Sequence, residues 1–203
     1  MPFDVEQLAA FCRSAIDRFA AQHAAESFYA FAIDASLLCL NSEEQAAKTL
    51  KAYQEWWDRQ TRPIHALSEM TDEDRKEEDG FLPLHARRCG LDRSNEHACL
   101  AVINERRDRS RKDGCPHRTT EGIRELRMNT GDWAYQGFAD MGGVDGFDAG
   151  AYADHYDRGE RRLIRSAYAR TMDKLLKRLK RVGAFDRLRL TPDFVAIRVE
   201  HNY

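Results

Sequence analysis

The chain has 203 residues, 42% of them hydrophobic and 33% charged, with a mean hydropathy of -0.68. That length can bury a core without disulfide or metal staples, and the composition argues for a soluble globular protein over a membrane-spanning or disordered one. Lys and Arg total 32 against 34 Asp and Glu, a net charge of -2. Neither the basic field of a nucleic-acid binder nor the acidic excess of a nucleic-acid mimic is present.

The first residues, Met1 to Glu6, lack a basic stretch leading into an apolar one, and Glu6, Arg13, Asp17 and Arg18 interrupt the early apolar residues, so the N-terminus does not read as a secretory leader. Five cysteines, Cys12, Cys39, Cys89, Cys99 and Cys115, form an odd set without scaffold spacing. They read as reduced thiols of a cytoplasmic protein, with Cys12 and Cys39 in apolar runs as core residues.

Asp4-Val5-Glu6-Gln7 is a capping box, and behind it Val5, Leu8, Cys12, Ala15, Ile16, Phe19 and Ala20 recur at helical spacing up to about His23. Two apolar runs, Ser27 to Ile33 and Leu37 to Leu40, flank the turn-prone Asp34-Ala35-Ser36 and predict a buried hairpin. A second capping box, Ser42-Glu43-Glu44-Gln45, opens a helix with Ala46, Ala47, Leu50, Tyr53 and Trp57 on one stripe. Trp56 and Trp57 cannot both face inward.

The pattern weakens from Ile64, and the charge run Glu69 to Gly80 reads as an exposed connection. Ser94 to Lys112 fits a helix carrying Ala98, Ala101 and Val102, with its charged second half, Glu105 to Asp113, in solvent. Thr120 to Asn129, with Ile123, Leu126 and Met128, reads as a strand, and Trp133, Tyr135 and Phe138 continue the apolar series. Gly142 to Gly150 reads as a loop.

A long stripe comes next: Leu163, Ile164, Ala167, Tyr168, Met172, Leu175, Leu176, Leu179 and Val182, stopped by Gly183 as a C-cap. The series Phe194 to Glu200 predicts a last strand with Val195, Ile197 and Val199 inward. Mixed helices and strands without a βαβα rhythm predict a single α+β domain over residues 1–203, an antiparallel or mixed sheet covered by amphipathic helices, in preference to a helical bundle.

No phosphate-binding loop, dinucleotide fingerprint, nucleophile elbow or His-Glu-x-x-His pair occurs. His85, Cys89, His97, Cys99, Cys115 and His117 offer zinc donors, but their spacing matches no known knuckle, so neither a metal nor another cofactor is expected. Asp154-His155-Tyr156-Asp157 places an imidazole between carboxylates and is the alternative acid/base site. The late helix carries Arg161, Arg162, Arg165, Arg170, Lys174, Lys177, Arg178, Lys180 and Arg181, a solvated face or a contact for phosphates. Before it, Asp132, Asp140, Asp145, Asp148, Asp154 and Asp157, with Trp133 and Tyr135, form an acidic and aromatic series that is the candidate partner-binding surface.

Glu26-Ser27-Phe28-Tyr29-Ala30-Phe31-Ala32-Ile33-Asp34, Asn129-Thr130-Gly131-Asp132-Trp133-Ala134-Tyr135 and Gly183-Ala184-Phe185 together resemble a group of uncharacterised bacterial proteins, some of them similar to immunity proteins encoded beside polymorphic or contact-delivered toxins. The resemblance runs through most of the chain and carries no catalytic residue. It implies a cytoplasmic α+β protein that binds a protein partner, a cognate toxin domain, and neutralises it. An enzyme using His155 or a Cys/His metal site, and a nucleic-acid binder using the late helix, are the alternatives.

Overall fold

The computed structural model describes residues 3–72, 74–76, 95–157 and 166–199, and it is an α+β structure built on a four-stranded mixed sheet. Two units are distinct, one comprising Met1–Thr49 and Glu125–Tyr203, the other Leu50–Arg124. No helix among the described residues is long and apolar enough to cross a membrane.

In the first unit, Asp4 starts helix α1 (Val5–Gln22), its Oδ1 accepting from the Glu6 and Gln7 amides at 3.0 and 3.1 Å. The cap satisfies two of the amides a helix start leaves unpaired. The expected stripe is the buried one: Leu8, Cys12, Ala15, Ile16, Phe19 and Ala20. Strands β1 (Ser27–Asp34) and β2 (Leu37–Ser42) form the expected antiparallel hairpin. Ala35 turns it in the left-handed region, φ +56°, where a Cβ costs energy. The turn is held there, because the Tyr168 hydroxyl donates to Ala35 O and the Met141 amide to Ser36 O.

Helix α2 (Glu43–Thr61) comes next, with the Gln45 amide donating to Ser42 Oγ at 3.2 Å as its capping box requires. Ala46, Leu50, Tyr53 and Trp57 are half-buried, whereas Ala47 and Trp56 are exposed. Strand β3 (Tyr135–Asp140) pairs antiparallel with β2, and β4 (Arg189–Arg198) pairs parallel with β1, giving the order β3-β2-β1-β4.

One face of the sheet, with Phe28, Phe31, Ile33, Leu38 and Leu40, packs with α1 and the late helix into the main core. The other face gathers Tyr29, Ala30, Ala32, Cys39 and Trp133. The late helix, α6 (Ala167–Arg181), buries Tyr168, Ala169, Met172, Leu175, Leu176 and Leu179. It ends as the sequence predicts: Gly183 sits at φ +64°, and the Ala184 and Gly183 amides close on Leu179 O and Lys180 O. Leu163, Ile164, Arg161, Arg162 and Arg165 lie outside the described residues.

Two expectations are corrected in this unit and at its boundary. Thr120–Met128 is a helix, α4, not a strand. The Thr119 side chain accepts from the Gly122 amide at 3.0 Å and starts it, and half-buried Ile123 and buried Leu126 fall on one helical face. In β4 the residues toward the main core are Phe194 and Ala196. Ile197 and Val199 pack inward on the second cluster, as expected, whereas Val195, expected inward, is 37% exposed.

The second unit contains the later part of α2 and helix α3 (Glu96–Asp113), capped by the Asn95 side chain. Its inward residues are Cys99, Ile103 and Arg107, four apart, rather than Ala98, Ala101 and Val102. Arg107, in the half expected to project into solvent, is buried, and so is Asp74, in the stretch expected to be an exposed connection. Arg107 Nη2 meets Asp74 Oδ1 at 3.3 Å, and Nη1 donates to Arg62 O at 3.0 Å. Gln60 Nε2 donates to Asp74 Oδ1 at 3.0 Å, while the Thr71 amide and hydroxyl donate to Oδ2 at 2.9 and 2.7 Å. Burial opposes ionisation, yet the Thr71 bonds, the Arg107 charge and Gln60 hold the Asp74 carboxyl below its ordinary range.

Leu175, fully buried between α6 and the sheet, should cost about 2 to 5 kcal/mol when replaced by alanine, read from urea unfolding. An unchanged transition would refute this packing. Asp74→Ala strands a buried guanidinium and should cost about 3 to 5 kcal/mol. Because folding depresses the Asp74 value, the wild-type advantage over Asp74→Asn should be complete above about pH 4 and fade as pH falls through the folded value. A difference independent of pH down to acid unfolding would contradict the assignment.

Candidate functional site

Strand β3 is an edge of the sheet and delivers the acidic series. Its ladder with β2 shifts register between Leu38 and Leu40, where Gly137 at φ +59° packs on the Leu37 side chain and its amide donates to Cys39 Sγ. Met141 then plunges into the core beside Cys12, anchoring the chain just as it leaves the strand. The loop beyond it curls over that anchor: the Val144 amide bonds Met141 O, the Phe147 amide bonds Val144 O, and the Asp4 amide bonds Gly146 O at 2.8 Å. Phe147 meets Phe3 edge-on at 5.3 Å.

The loop is therefore fixed from inside, and its carboxylates divide into two kinds. Asp140 Oδ1 accepts from the Gly142 amide at 2.8 Å, and Asp148 Oδ1 from the Ala151 amide at 3.0 Å, capping helix α5 (Ala149–Asp157). Those two stabilise the backbone as well as carrying charge. Asp145 is exposed and holds no such bond, and Asp154 is exposed on α5. Asp157 ends that helix. Asp132, half-buried, accepts from Asn129 Nδ2 at 2.6 Å.

The two aromatics assigned to this surface lie elsewhere. Trp133 is 3% exposed, and its Nε1 donates to Arg127 O at 2.9 Å, an acceptor it shares with the Tyr29 hydroxyl at 3.0 Å. Arg127, in the last turn of α4, lies 3.9 Å over the Tyr29 ring and forks onto Glu43 at 2.6 and 2.7 Å. Trp133 thus closes the second core cluster. Tyr135 is half-buried with its hydroxyl on Glu26, and Gln45 Nε2 donates to that hydroxyl at 3.1 Å.

Glu26 is the centre of a network that the sequence pattern did not single out. Its carboxylate receives the Ser42 hydroxyl, the Tyr135 hydroxyl and His23 Nδ1 at 3.2 Å, tying the end of α1, the start of β1, the start of α2 and β3 together. Burial raises the Glu26 value, but donors from Ser42, Tyr135, His23 and Gln45 outweigh it and hold the carboxyl below its ordinary range. Burial and the Glu26 bond push the Tyr135 phenol up to about 12. The pair stays carboxylate and phenol at neutral pH, an electrostatic clamp.

His155, the acid/base candidate, is 2% exposed. Its Nδ1 lies 2.7 Å from Ser166 Oγ, which also accepts from the Ala169 amide as the N-cap of α6. Burial first, then the Arg198 charge, lowers the His155 value. The ring is held neutral against Tyr168, 4.6 Å away, where it braces a helix start.

Among the zinc candidates, His97 is exposed, Cys99 and Cys115 are buried, and His117 lies beside the Tyr53 ring. His85 and Cys89 lie outside the described residues. No three metal-ligating side chains gather among the described residues. The second unit also has a pocket of about 440 Å³ lined in part by Trp57, Arg62, Arg111 and Arg118. There Arg118 is held by Asp58 at 2.6 Å and Arg111 by Asp108. Compared with family models, curated proteins and solved structures, the chain matches none.

If Trp133 closes the core, Trp133→Ala should cost about 3 to 5 kcal/mol. Asp145→Lys, on the exposed tip, should change stability by no more than about 0.5 kcal/mol. Equal, small effects of both substitutions on chemical unfolding would return Trp133 to the surface.

Proposed function

We propose that this chain is a cytoplasmic binding protein that neutralises a protein partner by covering it, and that the partner is a toxin domain, as for an immunity protein. The observation that carries this reading is the acidic loop, displayed at the end of an edge strand and pinned beneath by Met141 and Phe147. A loop ordered before binding loses little entropy when it docks, and outward carboxylates speed encounter with a basic surface. An edge strand adds main-chain groups that a partner strand can meet. Occlusion of this kind needs complementarity and slow release, not chemistry.

Asparagine at 140, 145 and 148 removes three charges while keeping the side-chain oxygens that accept from Gly142 and Ala151. The triple variant should melt within a few degrees of wild type. Its association with the toxin domain encoded by the neighbouring open reading frame should slow about tenfold and lose most of its salt dependence. Cells expressing it at limiting level should lose protection. Full-rate association and full protection by the triple variant would remove the loop from the interface.

A further inference from the structure

The basic face of α6 plays no part in the loop's chemistry. Lys174, Lys177, Arg178 and Arg181 fall at i, i+3, i+4 and i+7, and with Val5 and Glu6 of α1 they line a groove of about 400 Å³. Among the described residues Glu6 is the one carboxylate lining it, and Arg178 takes it, with Nε at 3.0 Å and Nη2 at 2.7 Å. Among the described residues, Lys174, Lys177 and Arg181 have no such partner, and all three are exposed.

A plain structural account covers part of this. Cations in the last turn of a helix offset about half a negative charge, which explains Arg178 and Arg181. Lys174 and Lys177 stand before that turn and gain nothing from it. Asp4 already occupies the amides that open α1, so the groove's positive character comes from side chains. Its floor is Val5 and the alkyl stems of the cations.

We infer that this groove binds an acidic segment of a protein, its carboxylates paired with Lys174, Lys177 and Arg181 and one apolar side chain seated on Val5. Nucleic acid fits less well. Among the described residues no aromatic side chain lines the groove to stack a base. The inference stands on the groove itself and not on the toxin reading.

The test is fluorescence anisotropy with the full chain and a short fluorescein-labelled peptide of glutamate and leucine, beside a labelled oligothymidine of equal charge. The peptide should bind, and binding should weaken with added salt. Lys174→Glu with Lys177→Glu should weaken it at least about tenfold, with the melting curve preserved because both side chains are exposed. Val5→Ser should weaken it while leaving its salt dependence intact. No anisotropy change with wild type, an affinity unaltered in the double variant, or oligothymidine binding as tightly as the peptide would each overturn the proposal. The last result would instead mark a phosphate-binding face.

Discussion

The constraint on which the rest of the structure depends is the burial of β1 on both faces and both edges. Every residue from Phe28 to Ile33 is buried, with β2 on one side and β4 on the other. A strand in that position must be covered twice, and a register shift between Phe28 and Ala30 decides how. It turns Tyr29 and Ala30 to the same face, so that Phe28, Phe31 and Ile33 meet α1 and α6 while Tyr29, Ala30 and Ala32 meet Trp133. A segment that looked like one apolar run thus serves two cores.

The second face is the costlier one because it carries polar groups inward. The Tyr29 hydroxyl is buried with Asn41, and each finds partners: Asn41 Nδ2 donates to Tyr29, and Tyr29 donates to Arg127 O. Burial drives the Tyr29 value up to about 12 even though the Arg127 charge draws it down. Arg127 is what makes this arrangement tolerable. Its carbonyl takes two side-chain donors that the end of α4 would otherwise leave to water, while its guanidinium caps the Tyr29 ring and forks onto the start of α2.

What could be read from the sequence was what local chemistry dictates. The Asp4 and Ser42 capping boxes, the stripe of α1, the hairpin, the Tyr168 to Leu179 part of the α6 stripe and its Gly183 stop are decided within a few residues of chain and stand where the pattern put them, whereas Ala167, expected on the same stripe, is exposed. Pairing across long sequence distances was not legible. Arg107 and Asp74 look like surface charges until 33 residues are folded back and each lets the other be buried with its charge intact. The Thr120–Met128 segment misled for a different reason. Ile123, Leu126 and Met128 suit a strand as well as a helix, and the Thr119 cap that decides between them is a single hydroxyl. On the candidate surface, the carboxylates of the loop were legible as a cluster, but the aromatics were not, because Trp133 and Tyr135 differ from surface residues only in what Arg127 and Glu26 offer them.

Net charge near zero conceals how the charges are arranged. Around the first turn of α1, the Asp4 amide bonded to Gly146 O joins the acidic loop to the wall of the basic groove. Fields of opposite sign placed side by side weaken one another with distance and are screened over a Debye length of about 8 Å in physiological salt, so each acts most strongly on a partner already close to its own half. On the proposed reading, selectivity rests on matching both halves at once, the form of recognition open to a protein partner with its own segregated charges.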